Sequence, residues 1–597
     1  MLERSMDHNF ISKVNIVPWV VLFIVLCAFF IRIYSLNAQP LIFDEMASTL
    51  AWVNRLSGSE ITRGLHGVLD FFQFVIFDKQ FEVIYLLFSL FISQFFLHPV
   101  FIARIPSVII GTVTVFLSYL LGKKLYGIKE GVLSALFLAF LPWHIIMSRI
   151  GLSVMLVPFF CIITIYLLYR GISEGKHKSF YFSWVMLGLI LFYVHPSGLV
   201  FLPIYLLSFF FINKKYRSMA REDIIIGILS FLIVITPFLV LMFRSSFFAE
   251  QFSRSYFSGK DFLDLQTYRY FLLHLISKIF TIAGLLFFPQ RFPENLFIPD
   301  WHQPLLFSVW VSPLFLVSVI LTIKKRTVPD IIFLVWFLCG IFFMPFLTGN
   351  IDARYLLVIL PAPLVLLSRF LITPWGIFTK SIQKVAIFFV VTFIVGNYLF
   401  TWIDYFGNCF KCKDSLMING CGSQEAAYYL VNKWHGMDEV AVVTDFRMVI
   451  SPYLIYYMKM KSDNPRKVID TAYFYDSNIL DHASIEHHEL HRKDLLIQRN
   501  NSAGSEIIMF SVMGFYELGI PSDSKEKLSA QEKSLLSRAK AIYYILWNPD
   551  MTKSRTAWEE DFANLYLAFK EIHPDSKPEK KIYYPDGRVA IEIFKVY

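Results

Sequence analysis

Two adjacent carboxylates, Asp44 and Glu45, stand in Pro40-Leu41-Ile42-Phe43-Asp44-Glu45-Met46-Ala47, shortly after an apolar run that ends near Tyr34. A carboxylate fixed beside a bilayer can act as a general base, taking the proton of an attacking hydroxyl as the new bond forms. Asp44 can equally cap a helix that begins at Glu45, and the two roles are compatible. Three arginines end apolar runs: Arg104 in Ala103-Arg104-Ile105-Pro106-Ser107, Arg149 in Met147-Ser148-Arg149, and Arg354 in Asp352-Ala353-Arg354-Tyr355. Any one alone reads as a snorkelling cation or an ion-pair partner, Asp352 being the local candidate for Arg354. Together they suggest an anionic ligand, because guanidinium forks match phosphate oxygens, and a lipid phosphate is the natural anion at that depth. His66, Tyr355 and His195, the last in the turn Tyr193-Val194-His195-Pro196-Ser197-Gly198, are candidate substrate contacts. For each histidine a structural role is the plainer reading.

Those residues need a membrane scaffold. Of 597 residues, 56% are hydrophobic, 18% aromatic and 17% charged, against about 25% charged in an ordinary soluble domain. This composition excludes a disordered chain, a coiled coil, a collagen and a common cytosolic enzyme. Charge breaks sharply near residue 404: residues 1–403 hold 31 Lys and Arg against 19 Asp and Glu, whereas 404–597 hold 24 against 27. The sequence therefore predicts a transmembrane domain over 1–403, a Cys-containing linker over 404–422 and an external α/β accessory domain over 423–597.

A span needs roughly 20 apolar residues. Candidates run over 16–34, 84–98 with 99–121, 130–147, 152–169, 180–195, 198–212, 223–243, 304–323, 330–347, 355–373 and 384–403. That makes about eleven crossings, within two either way. Segment 268–288 carries Arg269, His274 and Lys278 and reads as a helix lying in the interface. Lys123, Lys124 and Lys129, then Arg170, Lys176 and Lys178, then Lys214, Lys215, Arg217 and Arg221, then Lys324, Lys325 and Arg326, and finally Arg369, Lys380 and Lys384 fall in alternate loops. By the positive-inside rule these loops and the N-terminus are cytoplasmic. The C-terminal domain and the loops 37–83 and 244–303 are then outside, in a multi-pass plasma-membrane protein. The basic pI thus reports topology, and no nucleic-acid partner is expected.

In the C-terminal part, a helix over 423–434, a strand over 439–444, a helix over 451–460, a strand over 541–547 and a hairpin about Pro585-Asp586-Gly587-Arg588 are expected. His487, His488 and His491 read as a solvated helix face. Cys27, Cys161 and Cys339 lie in spans and read as small apolar residues. Cys409, Cys412 and Cys421 lie just beyond the last span, where an oxidising exterior pairs two of them in a disulfide; three thiolates with His435 are the zinc-site alternative.

The order Phe43-Asp44-Glu45, His66-Gly67-Val68-Leu69, Arg104-Ile105-Pro106-Ser107 and Leu121-Gly122-Lys123-Lys124-Leu125-Tyr126-Gly127 resembles the GT-C class of membrane glycosyltransferases. The branch is that of the dolichyl-phosphate-mannose protein mannosyltransferases and the lipid A aminoarabinose transferases. Leu141-Pro142-Trp143-His144 through Ser148-Arg149, and Ala353-Arg354-Tyr355-Leu356-Leu357 up to Pro361, resemble later landmarks, so that the likeness covers about 15–372. It implies an inverting transferase with a polyprenyl-phosphate sugar donor and a lipid, glycan or protein acceptor. Asp44 then falls at the catalytic acid and Glu45 at its partner, while Arg149 and Arg354 hold the lipid phosphate. One departure matters: many relatives carry an acid after the Ser-Arg pair, where this chain reads Ile150-Gly151. With no Asp-x-Asp in the first loop either, no divalent metal or other cofactor is expected. A flippase or transporter of polyprenyl-linked glycans that grips the same phosphate is the alternative reading, and a non-enzymatic receptor is another.

Overall fold

The structure, a computed structural model, describes residues 16–38, 41–42, 45, 49–50, 53, 82–244, 276–282, 286, 312–347 and 353–372, with helical positions scattered through 381–403 and 453–460. It also describes 422–433, 439–445, 470–474, 493–500, 505–512, 541–547, 566, 569–570, 573–583 and 589–595.

Long apolar runs become helices because a backbone in hydrocarbon must satisfy its own hydrogen bonds. The helices are α1 (Ile16–Ile33), α2 (Val83–Ile92), α3 (Pro99–Leu125), α4 (Ile128–Phe140), α5 (Pro142–Ser148), α6 (Leu156–Ser173), α7 (His177–Leu189), α8 (Phe201–Tyr216), α9 (Arg221–Arg244), α10 (Ser312–Lys325), α11 (Val328–Leu347) and α12 (Pro361–Ile372). Among the described residues seven helical segments are long and apolar enough to cross a membrane, or eight if the bent pair α4–α5 is one span. The shorter helices α2, α10 and α12 overlap spans that the sequence predicts. The chain is thus a polytopic helical protein.

The alternate basic loops do gather at one end. There Glu174 pairs with Lys124, with Lys176 at 2.9 Å and with Arg170 at 3.3 Å. Arg369 faces Glu130 at 3.5 Å, and Tyr126 donates to Asp330 at 2.8 Å. These contacts link the ends of α3, α6 and α12 to the starts of α4, α7 and α11.

Among the described residues seven strands are found, after residue 438: β1 (Glu439–Asp445), β2 (Asp470–Phe474), β3 (Lys493–Asn500), β4 (Ser505–Val512), β5 (Ala541–Trp547), β6 (Lys580–Tyr583) and β7 (Val589–Lys595). They form one mixed sheet ordered β2-β3-β4-β1-β5-β7-β6. β1 runs parallel to β4 and β5, and the expected C-terminal hairpin appears as the antiparallel pair β6–β7. Helix α13 (Ser423–Lys433) buries Ala426, Ala427 and Leu430.

The sequence reads 130–147 as one span, but the chain bends by 62° between Phe140 and Pro142. Pro142 has no N–H to give the Leu138 carbonyl four residues back. Arg32, fully buried in α1, takes that role from another helix. Its guanidinium donates to Ala139 O at 3.2 Å and Leu138 O at 3.4 Å, and lies 2.7 Å from His144 Nδ1. Arg32→Leu leaves those carbonyls unsatisfied in a dry interior, at about 1–3 kcal/mol each. A clearly lowered unfolding temperature of the purified protein in detergent is expected; an unchanged one would show that Arg32 does not support the bend.

Candidate active site

The first loop is held by one buried carboxylate. Glu45 and Arg104 are 0% and 1% exposed, and they meet side-on: Nε donates to Oε1 at 2.7 Å and one terminal nitrogen to Oε2 at 2.7 Å. The other terminal nitrogen of Arg104 donates to Leu36 O at 2.9 Å. Glu45 also accepts the backbone N–H of Ile42 at 3.0 Å and that of Gly151 at 2.6 Å. One carboxylate thus ties the loop after α1 to the first turns of α3 and to the strand-like link after α5. Gly151 is required there, since a Cβ would stand 2.7 Å from the Ala103 carbonyl oxygen. Thr49 adds a hydroxyl bond to Gly151 O at 3.3 Å. Tyr85 of α2 steadies the start of α3, donating to Ala103 O at 2.6 Å.

Arg149 closes the same corner. Its guanidinium forks onto the end of α1, donating to Arg32 O at 2.9 Å, Tyr34 O at 2.6 Å and Ser35 O at 3.2 Å. Ser35 has φ of 47°, the left-handed turn that ends many helices. A cation there satisfies carbonyls that the helix cannot and complements its dipole. Neighbouring Ile150 is buried among apolar side chains.

A second group forms on the connections Pro196–Val200 and Ala353–Val358, both 3-10 turns that pack on each other. The Tyr355 ring lies 5.4 Å from that of His195, and the Arg354 guanidinium lies 5.6 Å from the Tyr355 ring centre. Trp336 of α11 anchors the segment by donating Nε1 to Val358 O at 2.7 Å. His195, on the connection between two spans, accepts the Ser197 N–H at Nδ1 (3.2 Å). Its proton therefore sits on Nε2, pointing a neutral donor away from the turn. Burial first and the Arg354 charge second push its pKa down to about 3, so the ring carries no charge at neutral pH. The turn Ser153–Met155, two residues beyond Gly151, packs on Ala353–Val358 and joins the two groups. Ser153 also donates to Glu82 at 3.3 Å.

The sheet domain meets this end too. Tyr453 accepts the Leu41 N–H at 3.2 Å, and the Tyr456 ring stands 4.7 Å from His98 at the start of α3. Asp44, His66, Cys409, Cys412, Cys421, His435, His487, His488 and His491 lie outside the described residues. Among the described residues no three His, Cys, Asp or Glu side chains converge as metal ligands would. Cys27, Cys161 and Cys339 are free thiols. Sequence reasoning missed Arg32 and Tyr453. An arginine inside the first apolar run was the available signal for Arg32, whereas nothing near Tyr453 marks it.

Residues 83–241 match the family model described as dolichyl-phosphate-mannose-protein mannosyltransferase. ArnT from Cupriavidus metallidurans bound to undecaprenyl phosphate has a TM-score of 0.53 at 12% identity, over 97% of this chain and 98% of that one. Its apo state gives 0.53 at 11% identity with the same coverage. No curated protein matches the chain by sequence. The likeness to ArnT, a GT-C glycosyltransferase, is one of fold, and with the family-model match it bears out the resemblance to that class.

Removing one partner of a buried pair leaves an uncompensated charge, at about 3–5 kcal/mol. Arg104→Met alone should therefore strongly destabilise the purified protein. Arg104→Met combined with Glu45→Gln should cost less than the sum of the two single changes in thermal unfolding. Additive losses would mean that the two side chains do not act as a unit.

Proposed function

We propose that the chain is an inverting glycosyltransferase that moves a sugar from a polyprenyl phosphate to an acceptor hydroxyl at the outer face of the membrane. The observation that carries this reading is the four-fold clamp on Glu45, which fixes the position of the residue next to Asp44 at one end of the bundle. The basic loops gather at the other end: α3 alone, at 1.5 Å per residue, separates Arg104 from Lys123 by about 30 Å. With the basic end cytoplasmic, Asp44 and the sheet domain face outward.

In this reading Asp44 takes the acceptor proton while the acceptor oxygen attacks the anomeric carbon. The bond from that carbon to the phosphate oxygen breaks on the opposite side, and polyprenyl phosphate leaves with the electron pair. Arg354 and the neutral Nε2–H of His195 hold the phosphate and stabilise its developing charge. Tyr355 orients both. Arg104 and Arg149, whose guanidiniums are turned to protein acceptors, serve as positioning residues for the first loop. No step calls for a metal. The acceptor is a lipid, glycan or protein hydroxyl, with membrane lipids as the surroundings and no nucleic acid.

Purified protein incubated with labelled polyprenyl-phosphate mannose should release free polyprenyl phosphate. Asp44→Asn keeps a capping oxygen but cannot take the proton, so turnover should fall about 10²–10⁴-fold with donor affinity retained. Arg354→Lys loses the fork and should weaken donor binding by about 1.5–3 kcal/mol. Near wild-type turnover by Asp44→Asn would remove it as the base. Movement of an intact donor across a vesicle, with no phosphate released, would make the protein a transporter.

A further inference from the structure

A cleft of about 700 Å³ opens in the C-terminal domain between α13 and β6, away from the residues assigned above. Tyr428, Tyr429, Tyr457 and Tyr583 line it, with Gln424 and Glu425 at one end. Tyr428 and Tyr583 are 55% and 58% exposed, large rings turned to solvent. The position of α13 is set by Gly422, with φ of 82°, where a Cβ would stand 2.9 Å from Ile591 of β7.

The polar groups in the cleft are a mixed set. Gln424 donates its amide to the Tyr457 hydroxyl at 3.0 Å, which leaves its carbonyl oxygen for another donor. Of the two lysines that line the cleft, Lys581 is tied to Glu592 at 2.9 Å, while Lys580 has no ion pair among the described residues. Glu425 is exposed. An isolated anion would be repelled by Glu425. An added peptide strand is poorly served by β6, which has only four residues, three of them exposed, with a register irregularity at Ile582 and Tyr583; short, lysine-bearing and irregular edges are how sheets avoid such pairing. Aromatic faces with interspersed amide, carboxylate and ammonium groups suit a ligand that is apolar on its ring face and both donor and acceptor at its rim. A carbohydrate has that chemistry.

The cleft also adjoins the first loop. Tyr457, which lines it, lies one helical turn from Tyr453, the acceptor for the Leu41 N–H. Burial chiefly raises the Tyr453 phenol, and the Glu45 and Glu425 carboxylates add to it in smaller measure. We infer that this cleft is an acceptor subsite that holds a carbohydrate and presents one of its hydroxyls to the loop carrying Asp44. The acceptor is then a glycan or a glycolipid headgroup. This rests on the transferase reading for its role but not for its binding.

The test is saturation-transfer NMR on the intact protein in detergent with mannotriose, cellotriose and chitotriose, beside binding of undecaprenyl phosphate. At least one trisaccharide should give a saturable signal. Tyr428→Ala with Tyr583→Ala should reduce it at least about fivefold, as should Glu425→Gln with Gln424→Ala, a second pair that guards against misfolding of the first. Both pairs should bind undecaprenyl phosphate as wild type does. No signal from any of the three sugars, or a signal that neither pair reduces, overturns the subsite. Sugar binding that follows the cleft in a protein that does not bind undecaprenyl phosphate leaves the subsite standing and overturns the proposed function instead.

Discussion

The contact on which the first loop depends is the fork between Arg104 and Glu45. A buried ion pair is no guarantee of net stability, because desolvating two charges offsets much of their attraction. Its value here is geometric. With every neighbouring donor aimed at one carboxylate (the guanidinium, the Ile42 amide and the Gly151 amide), the loop after α1 has one register against α3 and the link after α5. Shifting Glu45 by one residue would leave a buried cation and two buried amides unmatched. Chemistry that needs a base held within tenths of an ångström needs a mount of this kind.

The same requirement recurs along the bundle wherever a helix ends inside it. In hydrocarbon, a carbonyl released by a bend or a helix terminus has no water to turn to. Arg32 supplies donors to the break before Pro142, and Arg149 supplies them to the last turn of α1. Two arginines that a composition scan counts as charge are thus structural hydrogen-bond donors. Arg354 differs in position: it stands on a short turn beside His195 and Tyr355.

Much of the architecture is legible in the sequence because it is written in local patterns. The first span, expected over 16–34, is Ile16–Ile33, and the strand expected over 541–547 is Ala541–Trp547. The helix over 423–434 and the strand over 439–444 end within a residue of those ends. Strands β2, β3 and β4 were not legible: five of the eight residues in Lys493–Asn500 are polar, and Ser505–Val512 is a short, mostly apolar run that periodicity alone cannot assign. The bend at Pro142 was hidden because hydropathy is blind to a broken hydrogen-bond ladder. The site was legible as residue types but not as partners. Glu45 was read beside Asp44, its chain neighbour, whereas its real partner is 59 residues away, and no spacing rule reaches that far.

The clamp on Glu45 has a catalytic consequence only if it does more than hold the fold. Glu45→Gln keeps one oxygen, enough for the Gly151 amide or the Ile42 amide but not both, since these bond different carboxylate oxygens, and it gives up the charge that Arg104 answers. The decisive measurement is the rate at which this variant releases polyprenyl phosphate from a labelled donor, taken together with its affinity for undecaprenyl phosphate. The clamp predicts donor affinity close to wild type and a rate reduced at least about tenfold, in protein that remains folded at the assay temperature. A folded variant turning over at the wild-type rate would contradict it.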